Sequence, residues 1–340
     1  MFCGCRLGAM WGMGQGGQVP TSGTTVQPEI LDLLSDRVLD GGPVVGERPL
    51  SGGFSTDNVL LRTAGGEAYV LRRYQRRNTC AVEAAVMRRV SPHVPVPEVV
   101  LADEDGSLVG EPLLITRFVP GVSGAAVFAG AALEDGPPLA ESIATVLAAI
   151  GSVTFPAAGF FSGPELRTDA PRPKFCEDLP AFVEDCLAQA PPDLGLSRED
   201  RAALVGLARE WAPLVAQVRA DPALGPRLVH SDFNPKNLLL RPSGDGWRVS
   251  AVLDWEYAFA DCALFDVGNL LRFGDELPPG FIERFPSAYR EAGGVLPSQW
   301  RQASRALDLF AIADLLTRPA DHPLAVKAAH LAHSIVAAGR

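Results

Sequence analysis

Two short polar stretches, separated by what reads as a β-hairpin, constrain this chain more than any other feature. The first is His230-Ser231-Asp232-Phe233-Asn234-Pro235-Lys236-Asn237, and the second is Asp254-Trp255-Glu256. Between them Asn237 to Pro242 leads into the turn-forming Ser243-Gly244-Asp245-Gly246, and Trp247 to Leu253 leads out again. A turn centred on Asp245 and Gly246 pairs the two arms antiparallel in a register that sets residue 254 opposite residue 237. The hairpin therefore returns Asp254 to the side of Asn237.

That placement suits one chemistry. A magnesium ion takes oxygen ligands and keeps waters and phosphate oxygens in its remaining positions. Asn237 offers an amide oxygen and Asp254 a carboxylate. Asp232 stands five residues before Asn237, the spacing with which a kinase catalytic loop sets a base beside a metal ligand. It is left free to accept the proton of an attacking hydroxyl and to orient it.

With both stretches in view, the chain resembles the aminoglycoside phosphotransferase and choline kinase-like superfamily, small-molecule kinases with a protein-kinase-like fold. His-Ser-Asp-Phe-Asn-Pro-Lys-Asn resembles that family's His-Gly-Asp-x-x-x-x-Asn, and Leu253-Asp254-Trp255-Glu256 resembles its Ile-Asp-Trp-Glu. Either half alone is weak, whereas the pair is specific. The resemblance, which spans roughly residues 45 to 320, implies an α+β, two-lobed fold: a small antiparallel β N-lobe with one helix, and a larger, mainly helical C-lobe carrying the catalytic hairpins. It also implies ATP and Mg2+ as cofactors, Asp232 as catalytic base, and Asn237 and Asp254 as metal ligands.

The remaining parts come in the expected order. Ser51, Gly52, Gly53, Phe54 and Ser55 form a glycine-bearing turn between strand-like runs, where backbone amides could approach phosphates. Arg72 ends the next hairpin, where the family usually has a phosphate-contacting lysine; a guanidinium can bind phosphate oxygens bidentately. Glu83, on the helical run Ala81 to Val90, resembles the glutamate that holds this cation. The plainer alternatives for Arg72 and Glu83 are a solvated strand charge and a helix-surface charge. Leu113 to Gly121 reads as a strand entering the interlobe hinge, with backbone groups of Ile115, Arg117 and Phe118 placed to meet adenine.

Some positions depart from the family pattern. Ser231 replaces a glycine, and Asn234 stands where histidine or lysine is frequent, so positive charge for the transferring group must come from magnesium, Arg72 or Lys236. His230 is expected to brace the turn rather than to act as base. Asp266 resembles a family aspartate that steadies the catalytic loop, and it also suits an N-cap. Trp255-Glu256 replaces Phe-Gly after the metal aspartate, which argues against a protein kinase.

Composition agrees with a two-lobed enzyme. At 340 residues the chain can bury a substantial core and divides naturally into lobes. Boundaries are expected at 1–27 for a flexible extension or overcalled start, 28–119 for the nucleotide-binding N-lobe, and 120–340 for the catalytic and acceptor-binding C-lobe. Lys and Arg number 30 against 40 Asp and Glu, a net charge of −10, which disfavours nucleic acid and membrane surfaces and tolerates a cationic substrate. No obligatory protein partner is evident. Six irregularly spaced cysteines suggest neither a disulfide framework nor a zinc site and fit a reducing cytoplasm. Ser142 to Pro164 carries no charge, but Gly151, Pro156 and Gly159 break it, so it reads as a buried helix and a loop rather than a membrane span. Helices are expected over Leu139–Val153, Leu179–Gln189, Ser197–Val218, Phe281–Ala292, Ser298–Thr317 and Pro323–Ala338.

The partner is expected to be a small hydroxylated acceptor, such as an aminoglycoside or a similar amine or sugar. Glu256, Asp261, Asp275 and Glu276 are candidates for contacting it, and each also reads as a solvated carboxylate. A catalytically impaired, pseudokinase-like nucleotide-binding module is the alternative, suggested by the missing lysine and by Asn234.

Overall fold

The computed structural model describes residues 26–50, 57–74, 77–168, 178–244 and 246–338. They group into two units. The first comprises the chain up to Gly121 together with Ser162–Leu166 and Ser250–Tyr257, so the segment bearing Asp254 packs with N-terminal residues although it comes late in the sequence.

In this unit α1 (Pro28–Arg37) precedes β1 (Val44–Leu50), β2 (Asp57–Thr63) and β3 (Ala68–Arg73), and α2 (Cys80–Val90) precedes β4 (Val99–Asp103) and β5 (Leu113–Arg117). The strands form one antiparallel sheet in the order β1-β2-β3-β5-β4. Val59, Leu60 and Leu61 of β2 are all buried, although successive side chains on a strand point to opposite faces. Both faces are therefore covered. Val59 and Leu61 join Tyr69, Leu71, Leu113 and Ile115 in a core with Val26, Ile30 and Leu34. Among the described residues this unit has two helices, where the sequence reading expects one. Of the proposed 1–27 extension, residues 1–25 lie outside the described residues, while Val26 is already fully buried.

The second unit contains β6 (Val122–Ser123), α3 (Gly124–Gly130), α4 (Gly136–Gly151), β7 (Gly159–Phe160), α5 (Leu179–Gln189), α6 (Arg198–Ala220), β8 (Arg227–Val229), β9 (Leu238–Ser243) and the start of β10 (Gly246–Val252). It continues with β11 (Phe259–Asp261), α7 (Leu264–Leu271), α8 (Phe281–Glu291), α9 (Trp300–Leu315) and α10 (Pro323–Ala338). The six helices expected from periodicity all form, two with the expected bounds and the rest with ends shifted by at most three residues. At the start of α6, Ser197 Oγ accepts from the Asp200 amide and the Asp200 side chain accepts from the Ser197 amide, a capping box. The uncharged stretch begins inside α4, which ends at Gly151 and whose Leu139, Ile143, Ala144 and Leu147 are buried in the unit's interior. Among the described residues no helix is long and apolar enough to cross a membrane.

Helix α7 is held close to α9. A Cβ at Gly268 would lie 2.3 Å from the Ser304 carbonyl oxygen and 2.9 Å from Asp308 Cβ, a separation no side chain permits. This close approach fixes the position of α7, and with it the side chains of Asp266 and Asn269.

Candidate active site

The loop of residues 230–237 lies between β8 and β9 and is fixed by α7. The backbone N–H groups of His230 and Ser231 donate to Asp266 Oδ2 and Oδ1 at 2.7 and 2.8 Å, and Asn269 Nδ2 donates to the Ser231 carbonyl at 3.3 Å. Burial pushes the Asp266 carboxyl up to about 7, the two backbone donors oppose this, and the Asp232 charge adds to it. His230 is fully buried, and its Nδ1 accepts the Asp232 amide at 3.2 Å. The imidazole thus braces the turn with a ring nitrogen that carries no proton there. Ser231 has φ of 71°, a left-handed conformation that glycine adopts without penalty, which explains what the family's glycine does at this point.

Around Asp232 the polar side chains close in. Asn237 Nδ2 donates to its Oδ2 at 2.8 Å and to its carbonyl at 2.9 Å. Asn234 Nδ2 donates to Oδ1 at 2.7 Å, and Lys236 Nζ stands 3.2 Å from Oδ2. Asn237 directs its NH2 at the aspartate, so its amide oxygen, a magnesium-type ligand, points elsewhere. Sequence reasoning found Asp232 and Asn237 but missed that Asn234 orients the carboxylate and that Lys236, named there only as a source of positive charge, pairs with it. The one available signal was that both lie within four residues of Asp232.

In the first unit Arg72 is the centre. Its Nη1 meets Glu83 Oε1 at 2.8 Å, and its Nη2 meets Asp254 Oδ1 at 2.5 Å and Glu256 Oε2 at 3.7 Å. Tyr74 Oη also donates to Glu83 Oε2. Burial works against the charge on Arg72, but Glu83, then Asp254, Tyr74 and Glu256, raise its pKa well above the usual arginine value. Burial likewise pushes Glu83 up to about 7 while Arg72 pulls it down. Asp254, like Ser231, has a left-handed backbone, φ 68°. Such strain in a non-glycine residue persists only where surrounding contacts hold it.

Other expectations need correction. Glu256 is 8 % exposed and faces Arg72, so it belongs to this cation rather than to an acceptor. Asp261 is 3 % exposed; it pairs with Arg219 at 3.2 Å and accepts the Cys262 amide, a structural role. The hinge residues expected to meet adenine have backbone partners within the unit. The Ile115 backbone is taken up by pairing with Leu71 and Leu101, and the amides of Arg117 and Phe118 donate to Glu98 and Ala68 at 2.9 Å each. The Arg117 guanidinium is occupied by Asp40, Glu67 and Glu98. Ser51, Gly52, Gly53, Phe54 and Ser55 lie outside the described residues.

A family model described as the phosphotransferase enzyme family matches residues 46–321. The chain belongs to this family. The family is one of phosphotransferases, and a nucleotide-binding module without chemistry is correspondingly not favoured. No curated protein matches the chain significantly. Solved structures do. A thermostable mutant of aminoglycoside phosphotransferase APH(4)-Ia, in ternary complex with AMP-PNP and hygromycin B, is 21 % identical, with a TM-score of 0.66 over 92 % of this chain and 99 % of that one. A putative aminoglycoside phosphotransferase from Ralstonia eutropha JMP134 gives 18 %, 0.64, 92 % and 98 %. Macrolide 2'-phosphotransferase MphH from Brachybacterium faecium gives 21 %, 0.56, 92 % and 94 %. At these identities the likeness shows the fold, which is the two-lobed, α+β, kinase-like fold of these phosphotransferases.

Proposed function

We propose that the protein is a magnesium-dependent kinase that transfers the γ-phosphoryl group of ATP to a hydroxyl of a small molecule. The observation that carries this reading is the set of polar contacts on Asp232. Two asparagine amides fix its carboxylate, and neither can take its proton-accepting role. In the reaction the acceptor oxygen forms a bond to the γ-phosphorus, the bond from that phosphorus to the bridging oxygen of ADP breaks, and the hydroxyl proton passes to Asp232.

Asn237 and Asp254 would hold Mg2+, and their donor set fits: an amide oxygen and a carboxylate, both hard oxygen ligands, with positions left for phosphates and water. When bound, the ion supplies charge neutralisation on the phosphates. Arg72, whose Nη1 is held by Glu83, and residues 51–55 would grip phosphate oxygens, with Arg72 Nη2 passing from Asp254 to the phosphates as nucleotide and metal bind. With the amides of Arg117 and Phe118 spent, adenine recognition falls to residues 119–121, just beyond β5. Asp266 and His230 act through the loop they brace. The buried free thiols of Cys80, Cys186 and Cys262 fit a reducing compartment, for which we propose the cytoplasm.

The test is calorimetric titration of ATP with and without Mg2+, on the wild type and on Asp254→Ala. The expected outcome is that Mg2+ tightens ATP binding at least tenfold in the wild type and not in the variant. An equal Mg2+ effect in both proteins would remove Asp254 from the metal site.

A further inference from the structure

A cavity of about 580 Å³ lies within the second unit, walled by α7, α9, α10 and the segment around Phe273 to Ile282. Its size is that of a small-molecule site. One wall is the end of α7 from Gly268 to Arg272, the helix whose Asp266 and Asn269 fix the catalytic loop. Arg272 lines the cavity and lies within range of Asp232: burial opposes its charge, while Asp308 first, then Asp232 and Asp314, raise its pKa.

The charges on the walls are unequal once their pairings are traced. Arg272 and Asp308 neutralise each other in a fork, with Nε 2.9 Å from Oδ2 and Nη2 2.6 Å from Oδ1. Lys327 is paired with Glu276, so this acid, a candidate contact for a cationic acceptor in the sequence reading, is already engaged. What remains is Arg301, Arg305 and Asp275. The two arginines stand four apart on α9, both exposed, and among the described residues neither has a carboxylate within ion-pair distance. Arg301 lies over the Trp300 ring at 4.7 Å, which leaves its donor edges free. Two unspent guanidiniums against one carboxylate form a site for a planar anion. A molecule carrying several ammonium groups would meet like charge there, which counts against it.

We infer that the acceptor of this phosphotransferase is a hydroxylated small molecule bearing a carboxylate or phosphate group, held by Arg301 and Arg305 while its hydroxyl is presented to Asp232. The inference rests on the reading of Asp232 as the base, and its group transfer is the one balanced above, with ATP as phosphoryl donor. Leu271, Ile282 and Ile312 line the remainder of the cavity and suit the acceptor's carbon skeleton.

The test is ADP release from MgATP with three classes of probe: hydroxylated carboxylates and phosphate esters (gluconate, glycerate, glucose 6-phosphate), neutral sugars (glucose), and polycations (kanamycin). The wild type is compared with Arg301→Glu/Arg305→Glu and with the milder Arg301→Gln/Arg305→Gln, and ATP affinity is measured alongside to show that each variant is folded. The expected result is turnover with an anionic probe, whose KM rises more than tenfold in both variants while ATP binding is unchanged. A free anion and a phosphate ester are told apart by which probes respond. Turnover with kanamycin or glucose but with no anionic probe, or an anionic KM indifferent to both variants, overturns the inference and leaves the phosphotransferase reading standing. Bound ATP with no ADP release for any class overturns that reading, and the inference with it.

Discussion

Arg72 sets one positive charge against three carboxylates, and removing it has a cost that depends on pH. Arg72→Met keeps much of the side chain's length and deletes its charge. The Glu83 side chain is 2 % exposed and that of Glu256 6 %, so neither regains from water what it loses. Breaking a buried ion pair from one side costs about 3–5 kcal/mol. Glu83 can limit that cost by taking up a proton. Its carboxyl already stands at about 7 in the fold, against 4.5 as its ordinary value, and without Arg72 it moves higher. A group whose folded pKa is raised contributes stability that is complete below its unfolded value and is lost as pH rises through its folded value. The wild type has lost most of this contribution by about pH 7, whereas the variant goes on losing it. At about 1.4 kcal/mol per unit of pKa, the Arg72→Met penalty at pH 8 should exceed that at pH 6 by about 1–1.5 kcal/mol. Urea unfolding at the two pH values, monitored by tryptophan fluorescence, measures both. Adding Glu83→Gln to the variant should recover part of the loss at pH 8, since it removes the stranded charge. A penalty below about 1 kcal/mol at both pH values, with strictly additive effects of the two substitutions, would show that Arg72 is a solvated strand charge.

Other perturbations have equally definite outcomes. Gly268→Ala forces a methyl group to within 2.3 Å of the Ser304 carbonyl oxygen; it should lower stability by about 1–3 kcal/mol, seen as a fall in Tm, and reduce turnover because α7 carries the braces of the catalytic loop. Ser231→Gly relieves a left-handed backbone at φ 71° and should raise stability by roughly 0.5–1 kcal/mol in chemical denaturation, whereas a loss of stability would mean that the hydroxyl is worth more than the strain. Asp266→Ala leaves the amides of His230 and Ser231 without their acceptor; at about 1–3 kcal/mol for each buried unsatisfied donor, its unfolding midpoint should fall well below that of the wild type.

How much could be read from the sequence depends on how locally each feature is encoded. Asp232, Asn234 and Asn237 meet because they share one tight loop, so spacing alone brings them together. Helices α4, α5, α6, α8, α9 and α10 show their apolar faces in the order of residues, and Ser197 marks the start of α6. Helix α1 was as legible, with Pro28 in its first turn and Ile30 and Leu34 four apart, but the sequence reading assigned no helix there. Partnerships between distant residues were not legible. Glu256 and Asp261 look like solvated acids until Arg72 and Arg219 are found beside them, and nothing near Arg272 in the sequence announces Asp308, 36 residues on. The same blindness made the acceptor site look acidic: the carboxylates of Asp275 and Glu276 are adjacent in sequence, whereas Lys327, which neutralises one of them, lies on α10.

The central claim is that Asp232 is the base of a phosphoryl transfer, and Asp232→Asn tests it most directly because the substitution keeps the shape of the side chain and removes its ability to accept the proton. Single-turnover ADP formation from MgATP should be measured with water and with the best acceptor, together with ATP affinity. The account predicts that ATP affinity stays within about twofold of wild type while the rate of transfer falls by roughly 10²- to 10⁴-fold. Transfer at the wild-type rate with ATP fully bound would contradict it.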